Sequence, residues 1–135
     1  MMVLFTSRNC KIFHVEELNI IIVRVFGIMT DEAYFEIWEK VLVLMVVKNS
    51  KHLILNQTLG EPASFPARSK VLRLYVQQYG KKVNHDLKIG ILPSLKTKDN
   101  ANIKYLVEIF RSQTPFKIEF FKTEEAAKEW LTSEN

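Results

Sequence analysis

The sequence predicts a two-layer α/β domain with a mixed five-stranded sheet and helices mainly on one face. Short aliphatic segments alternate with segments of helical spacing, which is typical of parallel strands joined by crossover helices. Several strands keep a polar residue on one side, at Arg24, Lys88, Lys117 and Glu119. A sheet covered on both faces would be more continuously apolar, so we expect the second face to be partly open.

Two strands are predicted first, at residues 11–16 and 20–26. The joint between them has three residues, and so short a joint predicts antiparallel pairing. Residues 1–9 either add an extra edge strand or fray. Gly27 is expected to end the second strand. Thr30 then caps a helix, because its hydroxyl can accept a backbone N–H and the next two residues are acidic.

The helix after Thr30 is expected to continue through the apolar run V-L-V-L-M-V-V at residues 41–47. A buried strand is the alternative for this run. We favour the helix because the preceding turns are periodic and no break separates them from the run. Its apolar residues exceed what one buried stripe requires. We therefore expect a homodimer that uses this helix or the adjoining sheet edge.

The rest of the chain alternates strands with capped or glycine-ended helices, and it closes with a strand of period two that runs into an amphipathic helix. The predicted elements are a strand at 52–56, a loop at 57–67, a helix at 68–79, a strand at 87–92, a helix capped by Asp99 or Asn100, a strand at 116–120, and a helix capped by Thr123 that carries the stripe Ala126, Ala127, Trp130 and Leu131.

The composition is that of an ordinary globule, with 47% hydrophobic and 25% charged residues among 135. This length predicts a single domain over residues 1–135. Cys10 is the single cysteine, so no internal disulfide can form, and we expect a reducing, cytoplasmic location. The longest apolar run has seven residues, which is too short to span a membrane. No targeting segment is expected at the N-terminus.

Positive charge is concentrated in residues 68–104, which hold nine Lys or Arg and two Asp. Such a segment either keeps solvated helix faces soluble or attracts an anionic small molecule or protein partner. Nucleic acid is a less suitable partner, because Tyr75 and Tyr79 have the spacing of core residues rather than of a stacking surface.

No catalytic, metal-binding or cofactor-binding motif is present. His14, His52 and His85 lie far apart, and no pair has the spacing of a metal site. Cys10 lacks the sequence neighbours of a nucleophile. The four glycines are isolated and form no phosphate loop. The sequence therefore predicts no catalytic residue, no metal and no cofactor, and we do not expect an enzyme.

The order of elements resembles the SpoIIAA-like, or STAS, fold, and in particular its small stand-alone bacterial members. Four segments carry the resemblance: N-I-I-I-V-R-V-F-G with T-D-E-A-Y, H-L-I-L-N, L-K-I-G-I-L-P, and F-F-K-T-E-E-A-A-K-E-W-L. The resemblance implies a non-enzymatic regulatory or partner-binding module. The alternative is a carrier or sensor of a small apolar or lipid-like ligand, since part of the group has been likened to lipid-binding CRAL-TRIO domains.

The best-known members of that group are antagonists of anti-sigma factors, which carry a phosphorylatable Asp-Ser-Ser-Gly motif. This chain has E-P-A-S-F-P-A-R-S in the corresponding region. Neither Ser64 nor Ser69 is followed by glycine, and no Asp precedes them. The resemblance therefore does not extend to a phosphorylation switch.

Ligands of open α/β sheets bind at the carboxyl ends of the strands, and this rule selects a candidate site. Amides, hydroxyls and cations at those ends could hold an anion. The alternative is ordinary turn and cap chemistry, which uses the same residue types. The candidate ligand-binding residues are Asn56, Thr58, Ser64, Arg68, Ser94, Lys96 and Lys98.

Overall fold

The computed structural model describes residues 1–61, 63–73, 77–79, 82–83, 86–95 and 100–133, without the side chains of residues 79, 100–103, 110 and 113. Six strands and five helical segments lie in the described parts. In chain order they are β1 (Met2–Thr6), β2 (Cys10–Val15), β3 (Ile20–Ile28), α1 (Asp31–Lys48), β4 (His52–Glu61), α2 (Phe65–Val71), α3 (Gln77–Tyr79), β5 (Lys88–Leu92), α4 (Asn100–Gln113), β6 (Lys117–Phe120) and α5 (Glu124–Thr132).

The strands form one mixed sheet in the order β1-β2-β3-β4-β5-β6. The pairs β1–β2 and β2–β3 are antiparallel, and the three later pairs are parallel. The mixed α/β sheet is therefore confirmed, with six strands instead of five. The additional strand is β1, at the edge where residues 1–9 were expected either to pair or to fray.

The two faces of the sheet carry separate cores. Helices α1, α2 and α4 pack on one face, where Ile37, Val41, Ala67 and Val107 meet the strands. Helix α5 packs on the other face through Ala127 and Leu131, against Ile20, Ile22, Ile54 and Leu92. The expectation of helices mainly on one face is confirmed. Because one helix cannot cover six strands, much of the second face stays beside solvent.

Helix α1 includes the whole run 41–47, so the helical interpretation of that run is correct. The side chain of Thr30 accepts the N–H of Ala33 at 3.1 Å and caps the helix. At the other end Asn49 adopts a left-handed conformation with φ 46°. Val41 and Met45 are buried, whereas Val43 and Val47 are exposed. The outer face of α1 therefore carries exposed valines in its second half, whereas Glu32, Glu36 and Glu39 are exposed in its first half.

Strands β3 and β4 extend further than predicted. Gly27 was expected to end β3, and the loop was expected to begin at Gln57. Instead Gly27, with φ +66°, pairs with Gly60 inside the sheet. Glycine tolerates this positive φ, so the chain turns locally without leaving the ladder. Both glycines belong to the strands, because pairing with the neighbouring strand outweighs the weak preference of glycine against strands.

Helix α2 begins three residues earlier than predicted. Ser64 is its N-cap and accepts the N–H of Ala67 at 3.2 Å. Phe65 and Pro66 form the first turn, where proline is favoured because its missing N–H is not needed. The predicted helix at 68–79 is described as α2 and α3, and residues 74–76 lie outside the described residues.

Helix α5 has its predicted cap, since Thr123 accepts the N–H of Ala126 at 3.1 Å. Ala127 and Leu131 are buried, but Trp130 is half-buried at the rim of the core. The cap of α4 and the side chain of Phe110 lie outside the described residues. Within the described residues, no helix has the length and apolarity to cross a membrane.

Candidate functional site

Two adjoining cavities lie between the sheet and the helices α1, α2 and α4. They share Tyr34, Trp38, Leu55, Gln57 and Arg68 as lining residues. One cavity has a volume of about 30 Å³, and the other has a volume of about 80 Å³. Most of the remaining lining is aliphatic, from strands β3, β5 and β6 and from α1 and α4. We call the two together the inner cavity.

A few polar groups reach this apolar space. The guanidinium-bearing side chain of Arg68 lines both parts of the inner cavity, and the residue is only 7% exposed. Gln57 on β4 and Tyr34 with Trp38 on α1 lie beside it. Glu61 lines the smaller part, whereas no carboxylate is among the described residues of the larger part. The larger part therefore combines apolar walls with one cation.

Helix spacing explains why the aromatic groups meet there. Tyr34 and Trp38 are one turn apart on α1, and their rings contact edge-on with centroids 6.3 Å apart. Both are half-buried. From the sequence they are indistinguishable from core residues, so reasoning from the sequence missed them. Arg68 was singled out, but as part of a surface anion site and not as a group facing the interior.

Asn56 and Thr58 belong to a polar cluster on the opposite face of the sheet. They lie within β4, not in a loop at its end. The Nδ2 of Asn56 donates to Glu124 at 2.7 Å, and the Oγ1 of Thr58 donates to the Oδ1 of Asn56 at 2.7 Å. Both side chains thus anchor the first turn of α5. This geometry corrects the expected loop placement, and the reason is the continuation of β4.

Arg24 completes this cluster. Its Nε and Nη2 donate to the two carboxylate oxygens of Glu124 at 2.9 and 2.8 Å. The guanidinium also lies 4.7 Å from the ring centre of Phe13. The hydrogen bonds from Arg24 lower the pKa of Glu124 against the opposing effect of burial, and the bond from Asn56 adds to this. The hydrogen bond to Glu124 likewise raises the pKa of Arg24.

The two candidate serines make bonds within the fold. The hydroxyl of Ser64 caps α2 and also donates to Asp31 at 3.1 Å. The hydroxyl of Ser94 donates to the carbonyl of Gly60 and ties the loop after β5 to β4. Lys96 and Lys98 lie outside the described residues. Of the five candidates that the structure describes, Arg68 lines the inner cavity.

Groups with reactive side chains are held in structural roles. The thiol of Cys10 is fully buried, and this burial raises its pKa to about 12. The ring of His14 hydrogen-bonds Asn19 at 2.7 Å, and Asn19 in turn donates to the carbonyl of Lys48. In the described part of the chain, no three His, Cys, Asp or Glu side chains are grouped to hold a metal ion.

The comparison with solved structures identifies the fold. An uncharacterised protein of the DUF3478 family from Shewanella loihica, with a SpoIIAA-like fold, is similar over 94% of this chain and 99% of its own. The TM-score is 0.59 and the sequence identity is 17%. The chain has a SpoIIAA-like fold. No protein-family model matches the sequence, and no curated protein matches it either.

Proposed function

We propose that this chain is a non-enzymatic binding module, and that the inner cavity takes a small organic acid with an apolar body. The observation that carries the proposal is Arg68, a side chain 7% exposed at the wall of an otherwise apolar space. A carboxylate beside Arg68 would gain from the low dielectric of the site, because charge-assisted hydrogen bonds are stronger there.

The size of the inner cavity limits the ligand. Its larger part has about 80 Å³, whereas one water molecule takes up about 30 Å³ in the liquid. A cavity that holds benzene has a volume of roughly 150 Å³. The ligand therefore has to be smaller than benzene, and a short acid such as propanoate is a better fit than a long acyl chain. Among the apolar ligands considered from the sequence, this size favours a small one over a lipid.

We infer a regulatory role from the position of the inner cavity under α1 and α2. A ligand under α1 and α2 contacts both helices, so its binding would change how firmly they are held. A partner that recognises their outer surfaces could then respond to the ligand, as in regulatory STAS-like modules. A cytoplasmic location agrees with the single, buried thiol of Cys10, since a reducing compartment is the usual one for such a protein.

The test uses the fluorescence of Trp38, which lines the inner cavity. Trp130→Phe provides a background in which Trp38 is the sole tryptophan. The background protein is titrated with propanoate and with the neutral propanamide. We expect the acid to bind at least about tenfold more tightly, as for a charge-assisted bond worth about 1.5 kcal/mol or more.

Arg68→Met should remove this preference, whereas Arg73→Met, on an exposed side chain of the same region, should keep it. Circular dichroism of both variants controls for folding. Equal affinity for acid and amide would contradict the role of Arg68. Absence of binding by both probes, together with native mass spectra showing no retained ligand, would contradict the proposed function.

A further inference from the structure

A second concave region lies at the opposite end of the sheet, where the parallel strands begin. Its volume is about 460 Å³, much larger than the inner cavity. Lys51, His52, Lys88 and Lys117 line it, with Asp86 beside them and Ser133 at the end of α5. We call this region the basic cleft. It differs from the carboxyl-end loops where the sequence suggested an anion site.

Strand register brings these groups together. His52 on β4 pairs with Lys88 on β5, and Lys88 pairs with Lys117 on β6. Paired residues of neighbouring strands point to the same face, so the three side chains form one row. Lys88 also lies over the ring of Trp130, with Nζ 5.3 Å from the ring centre. This places the row on the face that carries α5.

The row brings positive charges close together. Like charges directly opposite each other on neighbouring strands destabilise a sheet. Asp86 is the single carboxylate among the described residues of the cleft. The carboxyl end of α5 adds about half a negative charge at most. Three lysines therefore leave a positive excess, and no two of them are neighbours in the sequence.

The positive charges of two of these lysines affect the pKa of His52. Burial lowers the pKa of this imidazole most, and the charges of Lys88 and Lys51 lower it further, against a backbone hydrogen bond to Leu18. A bound anion would oppose the effect of the lysines and favour the protonated ring. The other charged groups among the described residues of the cleft are Asp86, Lys51, Lys88 and Lys117.

We propose that the basic cleft binds a soluble phosphate compound. Backbone donors at the strand starts are already used, since the N–H of Lys88 donates to Lys51 and the N–H of Lys117 donates to Leu87. Recognition would therefore come from the lysine side chains and from protonated His52, because the hydroxyls of Thr132 and Ser133 already donate to carbonyls of α5. Several point charges around a recess suit a tetrahedral dianion.

The proposal is tested by titrating labelled protein with inorganic phosphate and with sulfate at constant ionic strength, followed by amide NMR shifts. We expect saturable shifts at Lys88 and Thr132. The variant Lys51→Gln with Lys117→Gln should weaken binding at least about tenfold, through loss of charge-assisted contacts. The matched variant Lys11→Gln with Lys122→Gln removes the same charge from exposed sites elsewhere. It should weaken binding less than about threefold because distant charges are screened.

The pH dependence of binding is measured with sulfate, because the charge of sulfate is constant between about pH 5.5 and 8. Sulfate affinity should rise as pH falls through this range, and His52→Gln should abolish the rise. Equal weakening by the two double variants, or shifts that never saturate, would overturn the proposal by indicating general counterion attraction. Binding to phosphatidic acid vesicles without binding of free phosphate would overturn the choice of a soluble ligand. Arg68 lies on the other face of the sheet, so these outcomes are independent of the inner cavity.

Discussion

At the residue scale, the carboxylate of Glu124 connects the first turn of α5 to two strands of the sheet. It accepts hydrogen bonds from Arg24 on β3 and from Asn56 on β4, and its side chain is 13% exposed. Acidic residues in a first turn are usually explained by the helix dipole alone. Here the carboxylate also joins two strands to a helix, so its removal leaves the part-buried donors of Arg24 and Asn56 without their acceptor.

We predict that Glu124→Gln lowers the free energy of unfolding by about 1.5–3 kcal/mol at pH 7, the range for hydrogen bonds to a charged group. Since the folded pKa lies below the ordinary value of 4.5, the stabilisation is complete above that value and is lost as pH falls through the folded pKa. Urea unfolding from pH 7 to about pH 3 should therefore show the two proteins converging at low pH. Glu125→Gln, an exposed neighbour in the same turn, is the control and should change little.

A second prediction at this scale concerns Cys10. Its thiol is 0% exposed and has a pKa of about 12, so hardly any thiolate exists at pH 8. Iodoacetamide should modify the folded protein at least about 100-fold more slowly than the urea-unfolded chain. Mass spectrometry after timed quenching measures both rates. Rapid alkylation in native buffer would mean that β2 opens at this position.

At the element scale, α5 packs on the sheet through Ala127, Leu131 and Trp130. Gly90 on β5 lets the helix approach closely, because an added Cβ would lie 3.1 Å from the Cβ of Ala127. Leu131 is 1% exposed and fills the space between α5 and the sheet. Trp130 lies at the rim, with its ring 5.5 Å from that of Phe121. The tryptophan, prominent in the sequence, is thus less buried than the leucine beside it.

We predict that Leu131→Ala destabilises the protein by about 2–5 kcal/mol, as for a fully buried leucine. Trp130→Ala should cost less than the roughly 3–5 kcal/mol of a fully buried aromatic residue, because Trp130 is only half-buried at the rim of the core. Denaturant midpoints measured on both variants compare the two effects. An unchanged midpoint for Leu131→Ala would show that α5 does not dock on this face.

At the scale of the whole molecule, exposed apolar surface favours self-association. Val43 and Val47 on α1 are 39% and 69% exposed, and Met2 and Val3 on the edge strand β1 are 48% and 53% exposed. Lys40 of α1 lies over the ring of Phe5 on β1, so the two surfaces are adjacent. A strand edge beside an apolar helix face is a typical site for pairing with a second copy.

We predict a homodimer through this surface, and sedimentation equilibrium at about 100 μM, where micromolar dimers are populated, should detect it. Val47→Lys should shift the equilibrium toward monomer, because a charge would be buried in an apolar contact. Leu95→Lys is the control, since Leu95 is 80% exposed and lies in the loop after β5, away from β1. A monomer at that concentration, or equal effects of the two variants, would contradict the prediction.

Features that depend on neighbours in sequence were predictable from the sequence itself. Thr30 and Thr123 cap their helices as expected, since a cap needs only an N–H three residues away. The helical nature of residues 41–47 followed from uninterrupted periodicity. The alternation of strands and helices was sufficient for the parallel sheet, because short connections between such elements leave few topologies.

Features that depend on partners distant in sequence were decided by the tertiary structure. The extra length of β4 comes from the pairing of Leu59, Gly60 and Glu61 with the end of β3. Asn56 resembles a loop amide in the sequence, but its partner is Glu124, 68 residues away. Likewise Arg68 becomes a cavity residue and Lys51, His52, Lys88 and Lys117 become one cluster only when the strands are in register. Local preferences amount to fractions of a kcal/mol per residue, so pairing and burial across the sheet decide where such residues end up.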